Sequence, residues 1–313
     1  MRAYAIDEFG KPGSVREVET PKPSEGEVLL RVRAAGVNAF DVAVVNGFAK
    51  EYMEHRFPLI PGLDGSGEVV DLGAGVDGLA VGDQVYGIAQ KGYQGAGTFA
   101  EFQTFPAEGV TAKPSSIDHI GSAALPTAAL TALSAVEAVD PREGRAILII
   151  GATGGVGSYA TQLAANRGSR VLAAARGEYA EYALSLGASE SIDYSSPDFT
   201  GQVRARAAGG LDAIIDLSGN ADTVASLLDL VRSGGFVVSA AGGVDDAALE
   251  AHGLRGGSVN RAGLDRLADP TRLVEEKQLV LPAIRTYPLE EAAAALAEQA
   301  GRHVKGKLVL TIG

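Results

Sequence analysis

Residues 146–157 read AILIIGATGGVG, and this stretch restricts the possible fold more than any other. Five apolar residues, Ala146 to Ile150, run directly into a glycine-rich turn. A short apolar run rich in isoleucine is the pattern of a strand buried on both faces. Past the turn, Ser158 to Asn166 carries apolar residues on one helical face. Strand, glycine turn and helix together make a pyrophosphate cradle, because a helix start offers unpaired N–H groups and the positive end of its dipole. Gly154 would let backbone approach the phosphates, and Gly157 would let the helix lie close to the strand. The pattern is Ala152-x-Gly154-x-x-Gly157, with alanine in place of the usual first glycine. Small residues at this spacing are a weak signal alone, and an ordinary tight turn in a glycine-rich protein is the alternative. The setting, between a buried strand and a helix with a second strand following, favours dinucleotide binding.

From this point strands and helices alternate. The pattern predicts strands at 146–150, 170–175, 190–193, 212–216 and 236–240, with a sixth near 254–259. Helices are predicted at 158–166, 178–186, near 198–207 and at 221–232. The architecture this implies is α/β, a Rossmann-type doubly wound parallel sheet. The first 110 residues differ. Met1 to Ile6, Val15 to Val18 and Val28 to Ala34 alternate, and glycine and proline interrupt them often. Short strands with frequent turns suggest a small, partly open β-barrel. Residues 119–139 predict two helices broken at Pro126, and 261–277 and 289–299 predict further helices. The run Lys307 to Ile312 predicts a last strand with no partner in the parallel sheet, so it is expected to return to the barrel.

A chain of 313 residues exceeds one comfortable core, so two domains are expected. The boundaries are drawn at 1–118, completed by 261–313, and at 119–260. Apolar residues make up 46%, which fits a packed protein. The balance of 27 basic against 39 acidic residues, net −12, argues against nucleic acid or an anionic membrane as partner. The absence of cysteine excludes disulfides and thiolate ligands. Met1 leads into a charged, alternating segment without a signal-peptide core, so a cytoplasmic location is expected.

The second predicted strand bears on the cofactor. An acid that binds the NAD ribose belongs at its end, about 20 residues after the glycines. Here the strand ends Ala173-Ala174-Ala175-Arg176, and no carboxylate follows until Glu178. A guanidinium matches a 2′-phosphate with a bidentate fork, so NADP(H) is favoured over NAD(H). A solvated arginine at a strand end is the alternative. Tyr194, after the third strand, is placed at the adenine end or as a cap on the sheet edge.

The chain resembles the zinc-free medium-chain dehydrogenases/reductases of the quinone oxidoreductase group, which contains zeta-crystallin. The resemblance covers essentially the whole chain and is carried by several stretches. They are Gly36-Val37-Asn38-Ala39-Phe40-Asp41, Pro61-Gly62-Leu63-Asp64-Gly65-Ser66-Gly67-Glu68-Val69, Val81-Gly82-Asp83-Gln84-Val85, Leu125-Pro126 with Leu130-Thr131-Ala132, the glycine loop, and Gly306-Lys307. It implies a GroES-like β-barrel catalytic domain beside the Rossmann domain. It places the pyrophosphate on Gly154, Gly155, Val156 and Gly157, and the adenosine phosphate beside Ala175, Arg176 and Tyr194. It puts Thr131, Leu217, Ser218 and the backbone of Ala240, Ala241 and Gly242 near the ribose or nicotinamide. It also implies a homodimer joined through the sixth strands. Zinc-dependent relatives carry a cysteine where this chain has Asn38 and Gly-His-Glu where it has Gly62-Leu63-Asp64, so no metal is expected. The four histidines, His55, His119, His252 and His303, are scattered and read as surface or cap residues.

Without a metal, the chemistry left to NADPH is hydride delivery to a polarised small-molecule acceptor, a quinone or an α,β-unsaturated carbonyl. Charge develops on the carbonyl oxygen, which needs hydrogen-bond donors and a proton. Asn38 is the candidate donor, with a turn asparagine serving the backbone as the alternative. Asp41 is expected to hold the loop by hydrogen bonding. Related enoyl-thioester reductases carry a tyrosine shortly after the Asp41 segment, but Asn46-Gly47-Phe48-Ala49 has none. Some quinone and alkenal reductases carry tyrosine or lysine two residues after the aspartate, and this chain has Ala43. The proton donor is therefore Tyr52 or water. Two other readings stand: an enoyl reductase of a polyketide-like pathway, and a non-catalytic NADPH-binding redox sensor.

Overall fold

A computed structural model describes residues 1–313. In chain order the strands are β1 Arg2–Ala5, β2 Ser14–Glu17, β3 Glu27–Val37, β4 His55–Ile60, β5 Asp64–Leu72, β6 Gln84–Ile88, β7 Gln94–Ala96, β8 Phe102–Pro106 and β9 Val110–Ala112. They continue as β10 Ala146–Ile150, β11 Arg170–Ala175, β12 Glu190–Asp193, β13 Leu211–Asp216, β14 Val231–Ser239, β15 Arg255–Ser258, β16 Ile284–Pro288 and β17 Lys307–Thr311. The chain divides into two units, Met1–Thr127 with Gly263–Lys277 and Ala283–Gly313, and Ala128–Ala262 with Gln278–Pro282. The helix His119–Ala123 packs on β3 and β5 and so lies in the first unit, whereas the sequence boundaries assign it to the second.

The first unit is built around β3. One edge of this strand pairs antiparallel with β5, and the other is shared by β8 over Glu27 to Arg31 and by β17 over Ala34 to Val37. The sheet order is β16-β17-β3-β5-β6-β9, with β8 on β3. Val28, Leu30 and Val32 of β3 are buried with Val69, Phe105, Leu308 and Leu310, while Arg31 and Arg33 between them face outward. This period of two is what the VLLRVRA alternation dictates. The final strand does return to this unit, because its apolar face completes that core. The loop-like stretch before it also contains β16, which pairs parallel with β17 and has no sequence signal of its own.

The second unit is a six-stranded, wholly parallel sheet in the order β12-β11-β10-β13-β14-β15. Every residue of β10 is buried, as its unbroken apolar run requires. Strand order reverses beside β10, the switch point where such sheets bind ligands. The predicted strands recur, β14 starting five residues earlier than expected, and three of the four helices predicted between them are shorter. The helix expected over 221–232 is Ala221–Ala225 followed by a 3₁₀ turn at Leu228–Leu230, because Val231 is already drawn into the ladder opposite Leu211. The helix expected from Ser158 starts instead at Gly155. The segments expected as helices at 261–277 and 289–299 each open with a 3₁₀ turn, before Ala268–Glu275 and Ala292–Ala300. No helix is long and apolar enough to cross a membrane.

Candidate active site

In the first unit, strand register gathers a polar cluster at one end of the sheet. Gly36 stands opposite Asp64 across β3 and β5, and Val37 stands opposite Leu308 across β3 and β17. The next residue along β3, Asn38, thus meets the first residues of β5 and β17, which are Asp64 and Lys307. Gly36 is obligatory, since a Cβ there would lie 2.3 Å from the Ala123 carbonyl oxygen and 3.1 Å from the Asp64 Cβ. All four polar side chains are buried: Asn38 is 8% exposed, Lys307 4%, Asp41 2% and Asp64 0%.

Their bonds form one network. The Lys307 ammonium donates to the Asn38 Oδ1 at 2.7 Å and to the Val37 carbonyl at 3.0 Å, and it lies 4.0 Å from Asp64 Oδ2. The Asn38 Nδ2 donates to Asp64 Oδ2 at 3.0 Å. Asp64 also accepts from the Thr127 hydroxyl at 2.5 Å and from the Thr127 N–H at 3.2 and 3.3 Å. Asp41 Oδ2 accepts from the Asn38 backbone N–H at 2.8 Å, closing the first turn of the helix Ala39–Val45. The Asn38 side chain also faces the Asp41 backbone N–H in the capping box of that helix, and its amide is held between a cation and an anion.

Two carboxylates share one ammonium in a dry setting, and their proton affinities follow. Burial raises Asp41 to about 7, with the Asp64 charge pushing the same way and the Asn38 and Gly62 N–H groups and Lys307 opposing. Burial also raises Asp64, against Lys307, Thr127 and Asn38. Burial lowers Lys307, against the attraction of Asp64 and Asp41. Asp64 faces several donors including an amide N–H that can only donate, so it is the member of the pair that holds the negative charge. Asp41, with fewer donors, is the one that takes up a proton near neutrality.

The structure brings Asn38 and Asp41 together but not Tyr52. That ring is 94% exposed, on the turn after the helix that carries Asp41. Lys307 and Asp64 complete the cluster. The sequence signal for Lys307 was a lysine opening an otherwise apolar strand, and for Asp64 an acid at the head of a glycine-rich strand. At the positions where zinc-dependent relatives carry ligands, Asn38 has its Oδ1 taken by a fixed cation and Leu63 offers no donor.

The second unit carries the glycine loop. Gly154 is the extended N-cap of the helix Gly155–Asn166, whose first-turn N–H groups have no intrahelical partner by construction. Gly157 cannot be larger, since a Cβ would lie 2.0 Å from the Gly151 carbonyl oxygen. The helix start therefore presses onto the end of β10 and leaves a cradle of backbone donors suited to a pyrophosphate. At the end of β11, the Arg176 guanidinium hydrogen bonds to Tyr194, which raises it above its ordinary range. The Glu178 carboxylate stands 3.6 Å from Arg176, and Asp193 is lowered chiefly by Ser195, with a small contribution from Arg176. Arg176 and Tyr194 thus share one corner with two acids, Glu178, already noted in the sequence, and Asp193, which the sequence did not flag. Ala175 ends the strand there, fully buried, and Thr131 is nearly so on the helix Pro126–Ala138. Leu217 and Ser218 follow β13, while Ala240, Ala241 and Gly242 follow β14. Buried Asp216 ties these two turns, accepting from the Ser218 hydroxyl and the Ser239 hydroxyl, both at 2.7 Å. Ser239 in turn accepts from the Ala241 and Gly243 N–H groups.

Two stretches of the chain match known family models. Residues 24–115 match the alcohol dehydrogenase GroES-like domain, and residues 186–310 match zinc-binding dehydrogenases. A chloroplast envelope quinone oxidoreductase homolog of Arabidopsis thaliana is 34% identical over 63% of this chain and 62% of its own length. An NADPH-dependent alkenal/one oxidoreductase of the same plant is 28% identical over 99% of this chain and 79% of its own. The chain thus spans less than two thirds of the first of these relatives. Among solved structures, an NAD-dependent alcohol dehydrogenase is 30% identical with a TM-score of 0.91, covering 100% of both chains. The quinone oxidoreductase from Coxiella burnetii is 29% identical with a TM-score of 0.88, over 100% of this chain and 99% of that one. The strand that closes the GroES-like unit from the far end of the chain and the switch-point glycine loop are both accounted for by this kinship: the chain belongs to the medium-chain dehydrogenase/reductase family.

Proposed function

We propose that this protein is an NADPH-dependent oxidoreductase that reduces a quinone or an α,β-unsaturated carbonyl without zinc. The observation that carries the reading is the Asn38 amide. One of its two N–H groups is committed to Asp64, its oxygen is committed to Lys307, and its second N–H bonds to nothing within its unit. A neutral amide with one spare, rigidly held N–H is a donor built for a developing carbonyl oxyanion. When bound, NADPH supplies the hydride. Asn38 donates to the acceptor's oxygen as it gains charge, and the loop Gly154 to Gly157 holds the pyrophosphate. Arg176 and Tyr194 support NADP(H), with the fork of the guanidinium taking the 2′-phosphate. Metal-bound alkoxide chemistry, suggested by relatives named alcohol dehydrogenase, has no ligand set here. The proton comes from water, since Tyr52 stands in solvent and a hydroquinone anion needs no protein acid. The same reading carries a homodimer, for which β15 offers an unpaired outer edge.

The test is NADPH oxidation by purified protein against ortho- and para-quinones, alkenals, cyclic enones and an enoyl thioester. Turnover on quinones or simple enones supports the reading. Turnover on the thioester alone favours the biosynthetic enoyl reductase, which the likeness in fold to the CurK enoyl reductase, 25% identical with a TM-score of 0.87, keeps in view. Tight NADPH binding with no turnover on any of them means a non-catalytic sensor.

A further inference from the structure

We propose that Lys307 is a positioning residue, which fixes the Asn38 amide with its N–H outward and polarises it toward the acceptor oxygen. This rests on the reading above, in which Asn38 meets that oxygen. An asparagine amide in a symmetric setting can flip end for end, exchanging a donor for an acceptor. Here the two ends are told apart by charge. An ammonium can only donate, so the atom 2.7 Å from it is Oδ1. An ionised Asp64 can only accept, so the atom 3.0 Å from it is Nδ2. Flipping the amide would set oxygen against carboxylate and N–H against ammonium in a water-poor site.

Position and polarity follow from the same contact. Lys307 is itself pinned by the Val37 carbonyl, one residue from Asn38, so the cation cannot follow a displaced amide. A cation on Oδ1 draws electron density from the amide nitrogen, and hydrogen bonds in such chains strengthen one another. The free Nδ2–H becomes a better donor than an ordinary asparagine supplies. Lys307 reaches this place through register alone, at the head of β17 and 269 residues from Asn38 in sequence.

The experiment compares Asn38→Ala, the paired change Lys307→Met with Asp64→Asn, and all three changes together, each in the full-length protein. Lys307 is exchanged together with Asp64 so that no buried charge is left unpaired, and circular dichroism shows that the variants fold. With an acceptor that the wild type turns over, the paired change is expected to lower kcat by ~10²-fold and leave the KM for NADPH within about twofold. In the Asn38→Ala background the paired change should then cost no more than about twofold, because its effect runs through an amide already gone. A loss of equal size with and without the amide, or no loss, overturns the proposal. A second readout needs no acceptor. The side-chain amide resonances of Asn38, assigned by their disappearance in Asn38→Asp, should shift and exchange faster with water in the paired variant. Unmoved resonances also overturn the proposal. A wild type silent on every acceptor would sink the assigned reaction but leave this second readout decisive for Lys307.

Discussion

The polar cluster around Asn38 and the glycine loop before Gly155 are built on opposite plans. The loop is local and made of backbone: a dozen consecutive residues supply strand, turn and helix, and the donors it presents are N–H groups that any sequence possesses. The cluster is distant and made of side chains: Asn38, Asp64, Thr127 and Lys307 come from three strands and a helix start, and each atom's role depends on its neighbours' charges. A backbone site tolerates few changes of shape and many of chemistry. A side-chain site has the reverse sensitivity, and variants can expose the contrast.

The largest effect should come from shape in the loop. Gly157→Val puts carbon where the Gly151 carbonyl stands, so NADPH binding measured by calorimetry should vanish and unfolding should come at least about 2–3 kcal/mol sooner. Full-strength NADPH binding would mean that the cradle is not the cofactor site. Next is chemistry at the corner of the second unit. Arg176→Ala should weaken NADPH ~10-fold and NADH by less than about twofold, the modest size reflecting a partly exposed arginine beside Glu178 and Asp193. Equal loss for both cofactors would sink the assignment to the 2′-phosphate.

A smaller effect, and one peculiar to the side-chain site, concerns pH. Asp41 is raised from 3.8 to about 7, chiefly by burial, so the folded protein holds a proton that the unfolded chain gives up. That contribution is fully present below about pH 4 and is lost as pH rises through about 7. The groups facing it are Asp64 and Lys307. Denaturant unfolding of the wild type should therefore weaken across this window relative to Asp41→Asn, which carries no proton to lose. Parallel pH profiles for the two proteins would refute the buried-acid account. The smallest effect belongs to Tyr52. With its ring in solvent, Tyr52→Phe should change kcat by less than about twofold in the acceptor assay, and a tenfold loss would restore it as a proton donor.

The same contrast explains what could be read from the residues. β10 and β11 were legible to the residue, because a strand buried on both faces is written as an unbroken apolar run; the bounds of β12 were met as well, although it is a polar edge strand with only Ile192 buried. β17 was legible as a strand, and its return to the N-terminal unit followed from its having no place in the parallel sheet. The helix before β14 was overextended because Leu227, Leu228 and Leu230 keep a helical spacing, while pairing of Val231 with Leu211 claims the chain early. Helix Gly155–Asn166 was shortened in prediction because glycines argue against helix, although here they form its first turn.

The sequence by itself determined the parallel sheet, its glycine loop, the acidic and cysteine-free chemistry available, and Asn38, Asp41 and Arg176 as residues of interest. These follow from patterns spanning a few residues, where periodicity and residue type act directly. The tertiary structure alone decided that Lys307 and Asp64 grip the two ends of the Asn38 amide, that Tyr52 stands apart from them, and that Arg176 shares its corner with Asp193. Hydrogen-bonded register between strands far apart in the chain sets those encounters, and the burial that follows turns ordinary lysine and aspartate side chains into fixed charges with altered proton affinity.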